Sequence, residues 1–185
     1  CWEVNQMQQV LPLGERDRTV IFLPPWHIAE RLLETTLIAC GSSMANASII
    51  SLAADMGVIK PTALVSVPRV WEQLYRRVFD NVRKQPEKTQ NIFNFALNAA
   101  QTYTDIMDTL LDRFAETEDE EKTSTLTRKA IAAAMLPVFA ILNIPAQIIL
   151  KKVKNIFGGR LKFAVSGAGA LPEHVAVFFR AVGIP

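Results

Sequence analysis

Three short apolar runs rich in β-branched residues predict three strands. They cover residues 19–24 (TVIFLP), 62–67 (TALVSV) and 161–165 (LKFAV). The second run does not alternate between apolar and polar positions, which is typical of a strand buried on both faces of a parallel sheet. Pro24 and Pro25 end the first run, as prolines commonly end strands.

Helical patterns fill the chain between these runs. The helix that opens at Pro68 has an apolar face, and proline suits the first turn of a helix. That face consists of Val70, Trp71, Leu74, Tyr75, Val78 and Val82. The predicted helices cover residues 28–40, 48–57, 68–84, 88–115, 123–154 and 172–182, with the acidic run 116–121 as a solvated loop or helix end.

The order of these elements indicates the fold class. Strands alternate with helices, which favours an α/β domain with a mainly parallel sheet and helices on both faces. The 185 residues have room for one domain of ordinary size. Residues 84–157 form a long helical insertion within the domain predicted for residues 1–185.

Composition narrows the choice of function classes. The net charge is +2, so nothing points to nucleic acid as a partner. The chain has two cysteines and two histidines, which resembles neither a disulfide framework nor a multi-histidine metal site. We therefore expect a reducing compartment, the cytoplasm, and no metal ligands within this sequence.

A loop of small residues follows the third strand. Gly167, Ala168, Gly169 and Ala170 lie between Ser166 and Leu171-Pro172, where the last helix begins. Small residues let the backbone approach a ligand closely, and a helix N-terminus offers free N–H donors. The same pattern also suits a tight strand-to-helix turn required only for packing. No lysine follows the glycines, so this is not a phosphate loop of the GxxxxGK[ST] type.

The other two strand ends carry side chains that could line a pocket. Trp26 and His27 follow the first strand, and Pro68 and Arg69 follow the second. Ligands of open α/β sheets bind beyond the carboxyl ends of the strands. His27 could instead cap the next helix, and Arg69 could face solvent. Glu30 suits the positive N-terminal end of that helix.

Ala130–Leu150 is an uncharged stretch with basic residues on both sides. Its length is sufficient to cross a bilayer, but Pro137, Asn143, Pro145 and Gln147 argue against a span. Packing within a soluble domain remains an alternative. So does a helix pair broken near residues 143–145 that makes peripheral contact with a membrane through residues 130–154.

Three segments together resemble a known family. FLPPWHIAER resembles the LPLxHxxER stretch of AMP-forming long-chain acyl-CoA synthetases, members of the adenylate-forming superfamily. IKPTALVSVPRVWEQLYRRV and GGRLKFAVSGAGALPEHVAVFFRAVGIP are similar to that family's KPT…VPRxxExxY and GGRLRxxxSGgApLpxexxxFFxxxGxP segments. The three occur in the family's order and spacing, although residues 84–155 match least well.

This resemblance implies a fold and an activity. The fold would be part of the large N-terminal domain of an adenylate-forming enzyme. Such enzymes join a fatty acid to ATP, with Mg²⁺, as an acyl-adenylate and then pass the acyl group to coenzyme A. Some relatives load acyl carrier protein instead, which stays an alternative. A membrane-anchored protein without enzymatic activity is the alternative from another class.

The resemblance also implies roles for individual residues. Gly167, Ala168, Gly169 and Ala170 fall where the family's loop packs against adenine. Trp26 and His27 fall at the mouth of the acyl pocket, and Pro68 and Arg69 begin a helix that lines it. This chain has SGAGALP where many relatives have SGGAPLP, so the backbone group that meets adenine is not fixed by the comparison.

The resemblance places the phosphate loop before Cys1 and the GYGLTE segment after Pro185. Residue 1 is not Met, and the first residues lack a signal-peptide pattern. We therefore expect an internal fragment that contains no catalytic residue of its own and is inactive alone.

Overall fold

The computed structural model describes residues 2–111 and 122–184, with side chains described for 2–111 and 127–184. Its elements are α1 (Trp2–Val10), β1 (Arg18–Ile21), α2 (Ile28–Ala39), β2 (Ser43–Asn46), α3 (Leu52–Ile59), β3 (Ala63–Ser66), α4 (Pro68–Arg83), α5 (Glu87–Leu110), α6 (Lys122–Ile156), β4 (Phe163–Ser166) and α7 (Glu173–Ala181).

The four strands form one parallel sheet in the order β2-β1-β3-β4. Residues Ala63 to Ser66 of β3 pair in register with Phe163 to Ser166 of β4. Since all four strands run in the same direction, their carboxyl ends meet at one edge of the sheet. The predicted fold class, α/β with a mainly parallel sheet, is confirmed.

Both faces of the sheet are covered, because adjacent residues of a strand point to opposite sides. Val20 of β1 and Leu64 of β3 belong to the main core, formed with α3 to α7. Ile21 packs instead with Leu33 and Leu37 of α2 in a second cluster, and Val65 packs against that cluster. This distribution explains why the β3 run showed no alternation.

Aromatic rings join α4 to α7 in the main core. Trp71 meets Phe179 edge-on, with ring centroids 5.1 Å apart. Tyr75 meets Phe178 edge-on at 5.0 Å. The predicted apolar face of α4 is confirmed, because it supplies buried residues of the core, and α7 supplies buried residues to the same core. Helix α4, which starts at the site edge, is therefore held firmly against α7.

Polar contacts fix the helical part of the chain to α7. Arg180 forms an ion pair with Asp108 of α5, and the Asp108 side chain is almost completely buried. Gln147 of α6 donates a hydrogen bond to the carbonyl oxygen of Ala181 at 2.9 Å. The Lys154 ammonium donates to the carbonyl oxygen of Gly183 at 2.7 Å.

Two elements were not predicted. Helix α1 has a glutamine-rich sequence with little apolar periodicity. Strand β2 (SMAN) lies at an edge of the sheet, mostly exposed, between the two helices predicted over residues 28–40 and 48–57. Both are held by tertiary contacts, with β1 in the case of β2 and with α2 in the case of α1.

The alternative of a helix pair broken near residues 143–145 is wrong, whereas the helix predicted over residues 123–154 is confirmed. Helix α6 continues from Lys122 to Ile156 with Pro137 and Pro145 inside it. Both prolines lie on the exposed side, and the inner side packs mainly against α5. Tertiary packing therefore compensates for the backbone hydrogen bonds that proline removes. The predicted residues 112–115 of the preceding helix and the acidic run 116–121 lie outside the described residues.

Gly158 ends α6 in a left-handed conformation with φ +84°. A Cβ atom there would stand 2.6 Å from both Lys60 Cα and the Met56 carbonyl oxygen. The glycine thus allows the end of α6 to approach the end of α3.

Substitution of Gly158 tests whether the close contact between the ends of α6 and α3 requires a glycine. We expect Gly158→Ala to lower the free energy of unfolding by about 2 kcal/mol or more, because backbone atoms obstruct the new methyl group and φ is unfavourable. Gly57→Ala is the matched control, since its Cβ would meet nothing within 4 Å inside α3. We expect the control to gain about 0.5–1 kcal/mol. Urea unfolding measures both, and equal stability of the two variants would contradict this account.

Candidate functional site at the carboxyl edge of the sheet

The loop after β4 lies directly beside the start of α4. The Gly167 N–H donates to the carbonyl oxygen of Ser66 at 3.0 Å, which extends the pairing of β3 and β4 by one bond. A Cβ on Gly169 would lie 3.5 Å from Pro68 Cγ. The structure therefore brings two predicted groups of site residues into contact, the loop 167–170 and the residue that begins α4.

The loop presents its backbone to solvent. Ala168, Gly169 and Ala170 are exposed, and Ala168 has a left-handed φ of 63°, which is uncommon for a residue other than glycine. Helix α7 follows, and no side chain caps its N-terminus. The edge thus combines accessible backbone with uncapped helix N–H groups, an arrangement that suits a polar or anionic ligand.

His27 and Trp26 follow β1, the neighbour of β3, and so share this edge. His27 is the N-cap of α2, and its Nδ1 accepts a hydrogen bond from the Ala29 N–H at 3.3 Å. This is the capping role that the sequence left open for His27. Trp26 is 84% exposed, an unusual position for a large apolar side chain.

Pro68 occupies the first turn of α4, as predicted, and Arg69 is exposed at the same edge. His174, in the first turn of α7, is exposed and contacts the Tyr75 ring edge-on at 5.4 Å. The exposed Arg69 side chain can therefore contact a ligand that enters from solvent, whereas the His174 ring packs against the Tyr75 ring.

Glu30 is buried, which the sequence did not predict. It lies in the first turn of α2, as predicted, but it is only 2% exposed. Glu30, Leu33 and Leu37 recur at helical spacing on one buried face, and that spacing was the signal for its burial. Burial raises the pKa of the Glu30 carboxyl above its ordinary value, while the backbone N–H groups of Leu23 and Phe22 partly oppose the rise. Its Oε1 has no hydrogen-bond partner among the described residues.

A small cavity lies behind the loop, between α4, β4 and α7. It holds about 120 Å³ and is lined in part by Trp71, Ser166 and Arg180. Trp71 Nε1, Ser166 Oγ and Arg180 Nε have no hydrogen-bond partner within the described part of the chain. Buried polar atoms of this kind commonly bind ordered water.

A larger apolar groove of about 650 Å³ lies between α4, α5 and α6, at the opposite end of α4 from Pro68.

Across the described side chains, no group of three or more His, Cys, Asp or Glu residues could hold a metal ion. Cys40 is a free cysteine, and Cys1 lies outside the described residues.

Sequence comparison establishes the class of this protein. The profile of the family described as AMP-binding enzyme matches residues 1–185. The chain therefore belongs to the AMP-binding enzyme family, as the three segments in the sequence suggested.

Several relatives with curated descriptions are described as fatty-acid ligases. A chloroplastic long-chain-fatty-acid–[acyl-carrier-protein] ligase, AEE15 of Arabidopsis thaliana, is 25% identical over 98% of this chain and 25% of its own length. The putative fatty-acid–CoA ligase fadD11 of Mycobacterium tuberculosis is 26% identical over 100% of this chain and 29% of its own. Mouse long-chain-fatty-acid–CoA ligase 5 is 27% identical over 89% of this chain and 20% of its own. No solved structure gives a significant match.

The chain thus spans between a fifth and a third of the length of these relatives. Both coenzyme A and acyl-carrier-protein ligases occur among them.

The burial of Glu30 predicts a particular pH dependence of stability. A raised pKa means that the folded state binds the proton more tightly, so this residue lowers stability as the pH rises from about 4.5 through the raised pKa. We expect Glu30→Gln to remove that loss. The stability of the variant relative to the original chain should increase with pH and level off above the raised pKa.

Urea unfolding at a series of pH values from 4 to 8 measures this difference. Glu87→Gln, which removes an exposed carboxylate from the first turn of α5, is the matched control. The same pH dependence in both variants would show that burial of Glu30 is not its cause.

Proposed function

We propose that the enzyme containing this sequence activates a long-chain fatty acid with ATP and transfers the acyl group to coenzyme A. In the first step, the fatty-acid carboxylate would attack the α-phosphorus of ATP, forming an acyl-adenylate and releasing pyrophosphate. In the second, the coenzyme A thiolate would attack the acyl carbonyl and release AMP. The family match over residues 1–185 and the fatty-acid ligases among the relatives support this proposal.

One structural observation carries the assignment of the nucleotide site. The loop Gly167, Ala168, Gly169 and Ala170 exposes its backbone at the carboxyl edge of a parallel sheet, and its third residue lies against Pro68. In this proposal, adenine packs on that loop, which lacks side chains large enough to exclude a flat ring. Open α/β sheets bind ligands at this edge.

We assign Trp26, His27, Pro68 and Arg69 to the mouth of the acyl pocket. The exposed indole of Trp26 supplies apolar surface beside the edge. His27 caps α2 and so fixes the loop from which Trp26 extends. Arg69 supplies a positive charge within the same edge, suited to a carboxylate or a phosphate.

ATP with Mg²⁺, and coenzyme A as second substrate, are the cofactors of this proposal. Residues outside this sequence would hold most of the phosphate and the metal. We place the enzyme in the cytoplasm, with peripheral contact at the inner face of a membrane.

Acyl carrier protein is the second candidate acceptor, favoured by the relative described as an acyl-carrier-protein ligase, which matches 98% of this chain. Incubation of the full-length enzyme with ATP, radiolabelled fatty acid and either coenzyme A or holo-acyl carrier protein would separate the two. Labelled acyl-CoA supports the main proposal, and labelled carrier protein alone supports the second.

Substitution of Gly167 tests the nucleotide loop. A Cβ on Gly167 would meet nothing within 4 Å, so Gly167→Val should fold normally and obstruct only a bound ligand. We expect millimolar AMP to shift the amide NMR signals of residues 166–170 in the original chain. We expect at least a tenfold weaker response in the variant.

Gly14→Val is the matched control, since its Cβ also meets nothing and it lies before β1, toward the opposite edge of the sheet. Shifts that persist in Gly167→Val, or that occur only away from the loop, would exclude this loop as the adenine site.

Catalysis by the 185-residue chain alone is a separate test. The resemblance places the phosphate loop and the GYGLTE segment outside this sequence, so the charge of the transferred group would lack its stabilising partners. We expect no fatty-acid-dependent ATP–pyrophosphate exchange above background. Clear exchange by the purified chain would show that it contains the complete machinery.

A further inference from the structure

Helix α6 carries an exposed apolar face along its middle turns. Val138, Ile141, Ile144 and Ile148 recur at intervals of three and four residues, which places them on one side of the helix. Ile141, Ile144 and Ile148 are each between 66% and 69% exposed. Single exposed isoleucines are ordinary, but a row of them along one helix marks an interaction surface. We call Val138, Ile141, Ile144 and Ile148, together with Lys151 and Lys152, the outer face of α6.

The opposite side of α6 is committed to the domain. Ala146, Leu150 and Val153 are buried in the main core. Gln147 and Lys154 also hydrogen-bond to the end of α7. Thr127–Ile156 is long and apolar enough to cross a membrane, by length and composition only. Insertion across a bilayer would remove these residues from the core, so the outer face alone is available to a partner.

The charges on α6 indicate which kind of partner its outer face would bind. From Thr127 to Ile156, α6 contains five basic residues and no acidic one. Lys151 and Lys152 are exposed and lie three and four residues after Ile148, about one turn further along the helix. Asp105 lies near Arg128 and Ile131, at the other end of the helix, where the three line one shallow pocket. The acidic run 116–121 precedes that same end in the sequence. The lysine end is thus the end suited to anionic surfaces.

We propose that the outer face of α6 makes the peripheral membrane contact of the proposed function, by docking on an anionic lipid bilayer with the helix lying in the plane of the interface. The isoleucines would enter the boundary between headgroups and acyl chains, and the two lysines would contact lipid phosphates. This is the arrangement of an interfacial amphipathic helix, in which apolar area and basic charge act together. Ile148, Lys152 and Ile156 also line the apolar groove between α4, α5 and α6, so its mouth opens beside the lipid.

Sedimentation with lipid vesicles tests this proposal on the 185-residue chain, independently of any ligase activity. We expect binding to vesicles of phosphatidylcholine with 30% phosphatidylserine, and much weaker binding to phosphatidylcholine alone. Ile144→Glu combined with Ile148→Glu should reduce the partition coefficient at least tenfold. Lys151→Gln and Lys152→Gln should each reduce it about fivefold, an effect that 0.5 M salt would mimic.

Ile28→Glu and Ile38→Glu together are the matched control. These residues of α2 are 80% and 66% exposed, and α2 packs on the sheet face opposite to α6, so they impose the same change in charge and apolar area elsewhere. Circular dichroism melts of all variants show that the fold is retained. Equal loss of binding in the control pair would overturn the proposal, as would equal binding to neutral and anionic vesicles.

Two further results would each assign the outer face to a different role. Bound chain that resists alkaline carbonate extraction would show insertion across the bilayer rather than docking. Absence of vesicle binding, combined with a dimer in sedimentation velocity that the double Ile→Glu variant dissociates, would show that the face binds a second copy of the chain. Either result overturns docking on lipid.

Discussion

The parallel pairing of β3 with β1 on one side and β4 on the other determines where every candidate functional residue lies. Strand β3 is short and internal, and its residues Ala63 and Leu64 are completely buried. Because the pairing with β4 runs without an offset from Ala63 to Ser66, the residues after both strands leave the sheet at the same height. The glycine-rich loop and the start of α4 meet for this reason, although about a hundred residues separate them in sequence.

Helices hold this small sheet in place. Leu64 on one face and Val65 on the other are covered by different helices, so the strands are protected on both sides. The aromatic contacts between α4 and α7 connect the helix that starts beside the loop with the helix that follows the loop. A shift of either helix would therefore change the shape of the edge. Relatives of this chain are described as ligases with different acyl acceptors, acyl carrier protein in one case and coenzyme A in another.

Local pattern predicted the parts of the fold in which burial follows sequence periodicity. Strand β3 and helix α4 were predicted within one residue, because continuous apolar residues and a clear apolar face mark them. Strand β2 has no such mark, since its residues pair with β1 at an exposed edge. Pro145 predicted a break that packing along the inner side of α6 prevents. The extent of the helical insertion, residues 84–157, stays a prediction.

The candidate site was predictable in its location but less so in its chemistry. Glycines and a proline at strand ends indicated the edge, and the structure places Gly169 against Pro68. The pattern could not decide between capping and ligand binding for His27, because that depends on the rotamer of one side chain. Nor did it distinguish a buried Glu30 from an exposed one, since either suits the first turn of a helix. The roles of these residues toward a substrate stay proposals.

The left-handed backbone of Ala168 affects how a ligand would bind to the loop. Alanine does not favour φ near 63°, so the surrounding contacts, rather than the residue itself, impose this conformation. The loop is then already shaped in the folded chain. A ligand that packs on the loop need not order a flexible segment. The conformational entropy of the loop is lost during folding, so its loss does not oppose binding. Affinity at this edge would depend mainly on the fit of the ligand to a surface that exists before it arrives.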